Sequence, residues 1–269
     1  MLTAGVIGVV IGVIVGALGA GGGILSVPVL VYVLHQDPHD AAAASLVIVG
    51  ITALASLPLR ARAGDVNWKE GAIFGGVSTI GALAGGWASR LVRPEVLLGT
   101  FALLLLVVGI FMVNRARATR QIENMSHLHT KHRDPKRASA AARSGGGIVL
   151  LVGAATITGL LTGFFGVGGG FAVVPMLVLV MSFAMKEASG TSLLVMIIAA
   201  AAGLGARWGA DIHFDWPIIF AFTIGSAAGG IAGGPISQKA RNSTLTLIFA
   251  CLLIGVAIAV GLETIITAR

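Results

Sequence analysis

Gly16-Ala17-Leu18-Gly19-Ala20-Gly21-Gly22-Gly23, with Pro28 five residues on, returns as Gly163-Phe164-Phe165-Gly166-Val167-Gly168-Gly169-Gly170, with Pro175 in the same place. Each stretch sits inside an apolar run. A glycine costs an interior helix position about 1 kcal/mol against alanine, so this density breaks a helix. A helix that restarts after such a break offers unpaired backbone N–H groups and about half a positive charge, and glycine lets a ligand approach them closely. That is the chemistry of an anion cradle. Gly21, Gly22, Gly23, Gly168, Gly169 and Gly170 are its candidate residues, and the simpler alternative is that the glycines only allow tight helix crossing. Ser45, Thr191 and Ser192, near the start of the following helices, have hydroxyls to add; such hydroxyls also bond back to carbonyls one turn earlier. Arg60 and Arg207 recur at matching positions and are candidate anion gates, or arginines snorkelling to headgroups.

Other chemistries fit less well. Gly19-x-Gly21 and Gly166-x-Gly168 are followed three residues later by Ile24 and Phe171, where a dinucleotide fold needs glycine, and no Lys-Ser or Lys-Thr closes a phosphate loop. His127, His129 and His132 lie in a charged loop with no cysteine or acidic ligand spaced to complete a metal site. Asp65 and Asp211, with His213 and Asp215 nearby, would suit proton coupling, although loop charge and helix capping explain them more simply. No nucleophile–base pair is visible. The chain is expected not to be an enzyme and to need no cofactor and no metal.

The elements that position these residues follow from composition. Of 269 residues, 56% are hydrophobic and 11% charged, with 39 glycines and a mean hydropathy of +0.96. So few charges do not cover a soluble surface, and the apolar runs approach the ~20 residues of a membrane span. The net charge of +7 does not imply nucleic acid, because Arg115, Arg117, Arg120, Lys131, Arg133, Lys136, Arg137 and Arg143 gather in one loop, as topology requires. Cys251 stands alone and forms no internal disulfide. The N-terminus lacks a basic region and reads as a span, not a cleaved signal.

The expected elements of the first half are an apolar segment over 2–18, the glycine turn, and a short arm over 24–34 of about 17 Å. A helix opening at Asp37-Pro38 runs to Leu59, followed by spans over 70–89 and 95–113. The second half repeats the first. At an offset of 147 the glycines and prolines align, Glu187 falls on Asp40, Ser192 on Ser45 and Arg207 on Arg60. Asp211 pairs with Asp65 at 146, and Ala228-Gly229-Gly230 with Ala84-Gly85-Gly86 at 144. The domains are 1–114 (transmembrane repeat 1), 115–146 (basic cytoplasmic linker) and 147–269 (transmembrane repeat 2).

The fold class is therefore an all-α polytopic membrane protein. Two homologous repeats each carry a glycine-broken helical hairpin and three transmembrane helices, and an odd number of crossings per half inverts the second repeat. The links at 60–69, 114–146, 184–188 and 237–243 then share one side. They hold every Lys and Arg except Arg90, Arg93, Arg207 and Arg269, which places that side in the cytoplasm. A parallel arrangement gives nearly the same bias. The short second arm and the uncharged N-terminus favour inversion.

The duplicated Gly-x-x-Gly-x-Gly-Gly-Gly with its proline, and Gly190-Thr191-Ser192-Leu193 in the next helix, resemble the TauE/SafE sulfite exporter family over both halves. Ala43-Ala44-Ser45 departs from that pattern, so only Ser45 carries over in the first half. The resemblance implies a secondary transporter in the bacterial inner (plasma) membrane, exporting a small anion such as sulfite or an organosulfonate by alternating access. A passive anion channel and an importer of a sulfur-containing anion are the alternatives. The partners are the anion and the lipid bilayer, with homodimer formation open and no nucleic acid.

Overall fold

The computed structural model describes residues 2–18, 23–34, 36, 38–89, 92, 94–126, 145–165, 170–206 and 215–267. These residues are almost entirely helical. Helices α1 (Leu2–Leu18), α2 (Gly23–Pro28), α3 (Pro38–Arg62), α4 (Trp68–Ser89) and α5 (Pro94–Ser126) make the first half, with a π turn at Val29–Val33. Helices α6 (Gly145–Phe165), α7 (Gly170–Leu179), α8 (Met185–Ala206), α9 (Trp216–Lys239) and α10 (Asn242–Thr267) make the second. Within α3, α5, α8, α9 and α10 lie five segments long and apolar enough to cross a membrane.

Each glycine stretch ends one helix and opens another, as its composition requires. Pro28 lacks an N–H, and the wider π turn begins directly after it, with the Leu34 N–H reaching the Val29 carbonyl at 3.0 Å. The first arm is longer than half a span: α1 has 17 residues, or about 25 Å. The third span is longer still. It does not end at Val113 but continues as helix to Ser126. Ala116 is buried and Glu123 accepts hydrogen bonds from the Ser243 hydroxyl and N–H, so the charged tail of α5 still has a packed face.

Helices at corresponding positions in the halves meet corresponding partners. Helix α1 packs on α9 and α4 on α6, while α5 packs on α10 and α3 on α8. In the first two pairs the backbones touch. A Cβ on Gly8, Gly12 or Gly16 would run into Phe222, Ser226 or Gly230, and one on Gly159 or Gly163 into Ser78 or Ala82. Residue numbers rise together in both pairs, so their helices run in the same direction. Gly109 meets Ile254 while Gly261 faces Ala102, so α5 and α10 run in opposite directions.

These contacts correct the register of the repeat. Gly81 faces Thr156 and Leu160, and Gly229 faces Val9 and Val13, as the 147 offset between α6 and α1 requires. Gly81 therefore corresponds to Gly229, and fully buried Phe74 to fully buried Phe222. The offset here is 148. The expected match of Gly85 to Gly229 at 144 is displaced by one helical turn.

The basic links are tied together at one end. The Asn67 N–H donates to Thr191 Oγ1 at 3.0 Å, Lys186 Nζ to the Gln238 carbonyl at 2.7 Å, and the Lys186 N–H to Asn242 Oδ1 at 3.2 Å. These bonds join the α3–α4 link, the end of α9 and the start of α10 to the start of α8, and the Ser243–Glu123 pair joins the end of α5 to the start of α10.

Candidate functional site

Arg60 is 1% exposed near the end of α3. Its Nη2 donates to the carbonyl oxygens of Gly16 at 2.7 Å and Ala17 at 2.9 Å. These belong to the last turn of α1, where the intrahelical ladder stops. A cation there satisfies orphan carbonyls and opposes the negative end of the helix dipole. Asp65 Oδ2 lies 3.6 Å from Nη1, so the guanidinium ties the end of α1 to the α3–α4 link.

The same end holds Thr191. A Cβ on Gly190 would strike the Asp65 backbone, and Thr191 Oγ1 accepts the Asn67 N–H. Asn67 also caps α4: its Oδ1 accepts the Glu70 N–H at 3.3 Å, and its Nδ2 donates to Glu70 Oε2 at 3.0 Å. The buried Ser192 hydroxyl donates to the Ser189 carbonyl at 2.8 Å, the back-bonded geometry. Ser45 is fully buried near the start of α3, about 22 Å along the helix from Arg60. Thr191 is therefore brought to Asp65, Asn67 and the Arg60 end, and Ser45 is not.

Gly23 opens α2 and buried Gly170 opens α7. The two short helices touch. Leu25 packs against the buried cluster that contains Phe171 and Ala172, and Phe171 meets Phe101 edge-on with ring centres 5.3 Å apart. Beside α7, Ser78, Ala82, Thr158, Val173, Val195 and Ala199 surround a crevice of about 10 Å³. A larger cavity of about 240 Å³, with Arg115, Thr119, Glu187 and Asn242 among its walls, opens between α5, α8 and α10. Gly21, Gly22, Gly168, Gly169, Arg207, Asp211, His213 and the histidines at 127, 129 and 132 lie outside the described residues. Among the described residues no three His, Cys, Asp or Glu side chains gather to hold a metal ion. Asp215 Oδ1 accepts the Ile218 N–H at 3.3 Å and caps α9.

One buried polar group escaped the reading of motifs. Thr52 Oγ1 donates to Ser226 Oγ at 2.9 Å, between α3 and α9. The hydroxyls of Ser26 and Ser56, 0% and 2% exposed, have no hydrogen-bond partner, and neither does Arg60 Nε. The available signal was the four-residue spacing of Thr52, Ser56 and Arg60, which puts them on one face of α3.

The broken helices, the tight helix pairs and the polar interior describe an integral membrane protein. Comparison with known proteins gives the family. A probable membrane transporter protein from Xylella fastidiosa is 34% identical over 258 residues, 94% of this chain and 92% of its own. The probable membrane transporter protein YunE of Bacillus subtilis is 29% identical over 262 residues, 93% of each chain. A probable membrane transporter protein of Methanocaldococcus jannaschii is 25% identical over 205 residues, 74% of this chain and 69% of its own. No solved structure matches the chain. The family model described as Sulfite exporter TauE/SafE matches residues 4–260, and the chain belongs to that family of membrane transporters.

Proposed function

We propose that this protein is a secondary transporter that exports a small anion, sulfite or an organosulfonate, without ATP. The observation that carries the reading is the contact of α2 with α7. Two helices that restart after glycine breaks, one from each half, lie against each other inside the bundle. Their N-terminal N–H groups, at Gly21, Gly22 and Gly23 and at Gly168, Gly169 and Gly170, form the anion cradle. Ser45, Thr191 and Ser192 belong to the helices that follow the broken ones and contribute from either end. Arg60 and Arg207, which recur at matching positions of the repeat, act as the gates of the path.

The two halves are inverted repeats in this reading. Support comes from helix direction: α5 and α10 correspond in the repeat, pack together, and run in opposite senses. A two-fold axis relating antiparallel equivalent helices lies perpendicular to them, hence in the membrane plane. Helices α3, α4, α5, α8, α9 and α10 cross the bilayer, and α1 with α2, like α6 with α7, enters and turns back. The basic links gather at the end that the positive-inside rule assigns to the cytoplasm. Rocking of one half against the other then exposes the cradle alternately to each side.

The test is sulfite counterflow in proteoliposomes. A carrier drives labelled sulfite transiently above equilibrium in vesicles preloaded with unlabelled sulfite. A monotonic approach to equilibrium identifies a channel, and no flux of any sulfur oxyanion removes the reading.

A further inference from the structure

The two halves are not chemically equivalent where they surround the broken helices. At the repeat offset of 147, Ser26, Thr52 and Ser56 correspond to Val173, Ala199 and Gly203. At 148, Ser226 corresponds to Ser78 and Gly230 to Ala82. Val173, Ala199, Ser78 and Ala82 wall one crevice beside α7. Their counterparts beside α2 are Ser26, Thr52, Ser226 and Gly230. Where the broken helix and the helix after it line this position, the second half has Val173 and Ala199 and the first has Ser26 and Thr52; the hydroxyls of the second half's crevice, Ser78, Thr158 and Thr162, come from α4 and α6 instead.

The hydroxyl-lined side is buried and incompletely satisfied. Thr52 and Ser226 are bonded to each other. Ser56, one turn further along α3, points its Oγ to within 2.5 Å of where a Gly230 Cβ would stand, so the glycine makes room for the hydroxyl. Ser26 Oγ, Ser56 Oγ and Arg60 Nε are all buried without a partner. An unpaired buried hydroxyl costs about 1–3 kcal/mol, and three unpaired polar groups on the adjoining helices α2 and α3 are costly unless a ligand completes them. Thr52, Ser56 and Arg60 follow one another at four-residue steps along that face.

We infer that Ser26, Thr52 and Ser56 of the first half, with Ser226 of α9 closing on them and Arg60 Nε at the end, form an oxyanion-binding ladder along α3. This inference rests on the anion-export reading and deepens it: the ligand is an oxyanion with at least three oxygens. Hydroxyls serve cations and anions equally; the unpaired Nε–H of Arg60, which can only donate, selects the anion. A pair of hydroxyls donating to one oxyanion, with the Nε–H of the guanidinium donating to another of its oxygens, completes Ser26 Oγ, Ser56 Oγ and Arg60 Nε. The transported ion accordingly passes along α3, and α8 serves as the apolar wall.

Ser26→Val, Ser56→Gly and Thr52→Ala each copy the residue already tolerated in the other half. Purified protein in detergent is titrated with sodium sulfite, sodium sulfoacetate and sodium sulfate against sodium chloride at matched ionic strength, and thermal stabilisation is read. Wild type is expected to be stabilised by at least one of the oxyanions. Ser26→Val and Ser56→Gly are expected to raise the half-saturating concentration at least tenfold, with the melting temperature in chloride unchanged or higher. Unchanged half-saturation in both variants, with a responsive wild type, overturns the ladder and leaves the export reading standing. An unresponsive wild type overturns both. Melting temperatures in chloride that fall with no change in half-saturation assign these hydroxyls to packing and also overturn the ladder.

Discussion

Arg60 on α3 donates to the carbonyl oxygen of Gly16 on α1 at 2.7 Å. The arginine sits at the last turn of α1. Its second bond, to Ala17, and its pairing with Asp65 make it the clamp between a broken helix and an unbroken one. Removing it leaves two carbonyls and a carboxylate without their cation. Arg60→Met is expected to cost about 2–4 kcal/mol. Arg60→Lys, a point charge without the planar fork, should recover only part of that. Thermal melts in detergent check both, and an unchanged melting temperature in Arg60→Met would contradict the clamp.

Gly159 and Gly153 lie six residues apart on α6 and should respond with opposite signs. A Cβ on Gly159 would enter the Ser78 backbone, whereas one on Gly153 meets nothing within 4 Å. Gly159→Ala is expected to destabilise by about 1–3 kcal/mol. Gly153→Ala should be neutral or stabilising by up to about 1 kcal/mol. Equal melting temperatures for the two would show that α4 and α6 do not touch as described.

How much of this was legible in the chain depends on what carried each feature. The broken helices were legible because glycine density is a local property. The all-helical class followed from apolar run length in the same way, and the spacing of the glycine stretches exposed the duplication. The register of α4 on α9 was not legible. Glycines that recur every four residues align almost as well when slid by one turn, and only the contacts of Gly81 and Gly229 with their partner helices choose between the alignments. The length of α5 was obscured because its last turns are charged, and charge reads as loop until Glu123 is seen bonded to Ser243. Thr191 and Ser192 were noticed as residue types, but the Asn67 bond to Thr191 spans 124 positions and has no local signature. Thr52 and Ser56 each looked isolated within an apolar run, and Arg60 read as part of the charged link that follows it. Their shared face matters only because Ser226, 174 positions away, closes on it.

The arrangement of the links predicts a labelling pattern. Single cysteines at Gly64, Ala184 and Ala240, in a background with Cys251 replaced by alanine, should react with a membrane-impermeant maleimide from the same side. Cysteines at Gln36, Val92 and Asp215 should react from the other. Any member of one group labelled with the other would contradict the inverted arrangement.

The glycine turns themselves should be intolerant of bulk. Gly22→Leu or Gly169→Leu is expected to abolish transport while leaving membrane insertion and yield within about twofold of wild type, because the side chain fills the space beside the helix N-terminus. Normal flux in either variant would limit the glycines to helix packing.

The central claim is that a small sulfur oxyanion is carried at the junction of two broken helices, and sulfite counterflow tests it most directly. Proteoliposomes preloaded with unlabelled sulfite should take up labelled sulfite to a transient level above equilibrium with wild-type protein, and should show no overshoot with Gly169→Leu. Overshoot of equal size in Gly169→Leu, or no overshoot in wild type, would contradict it.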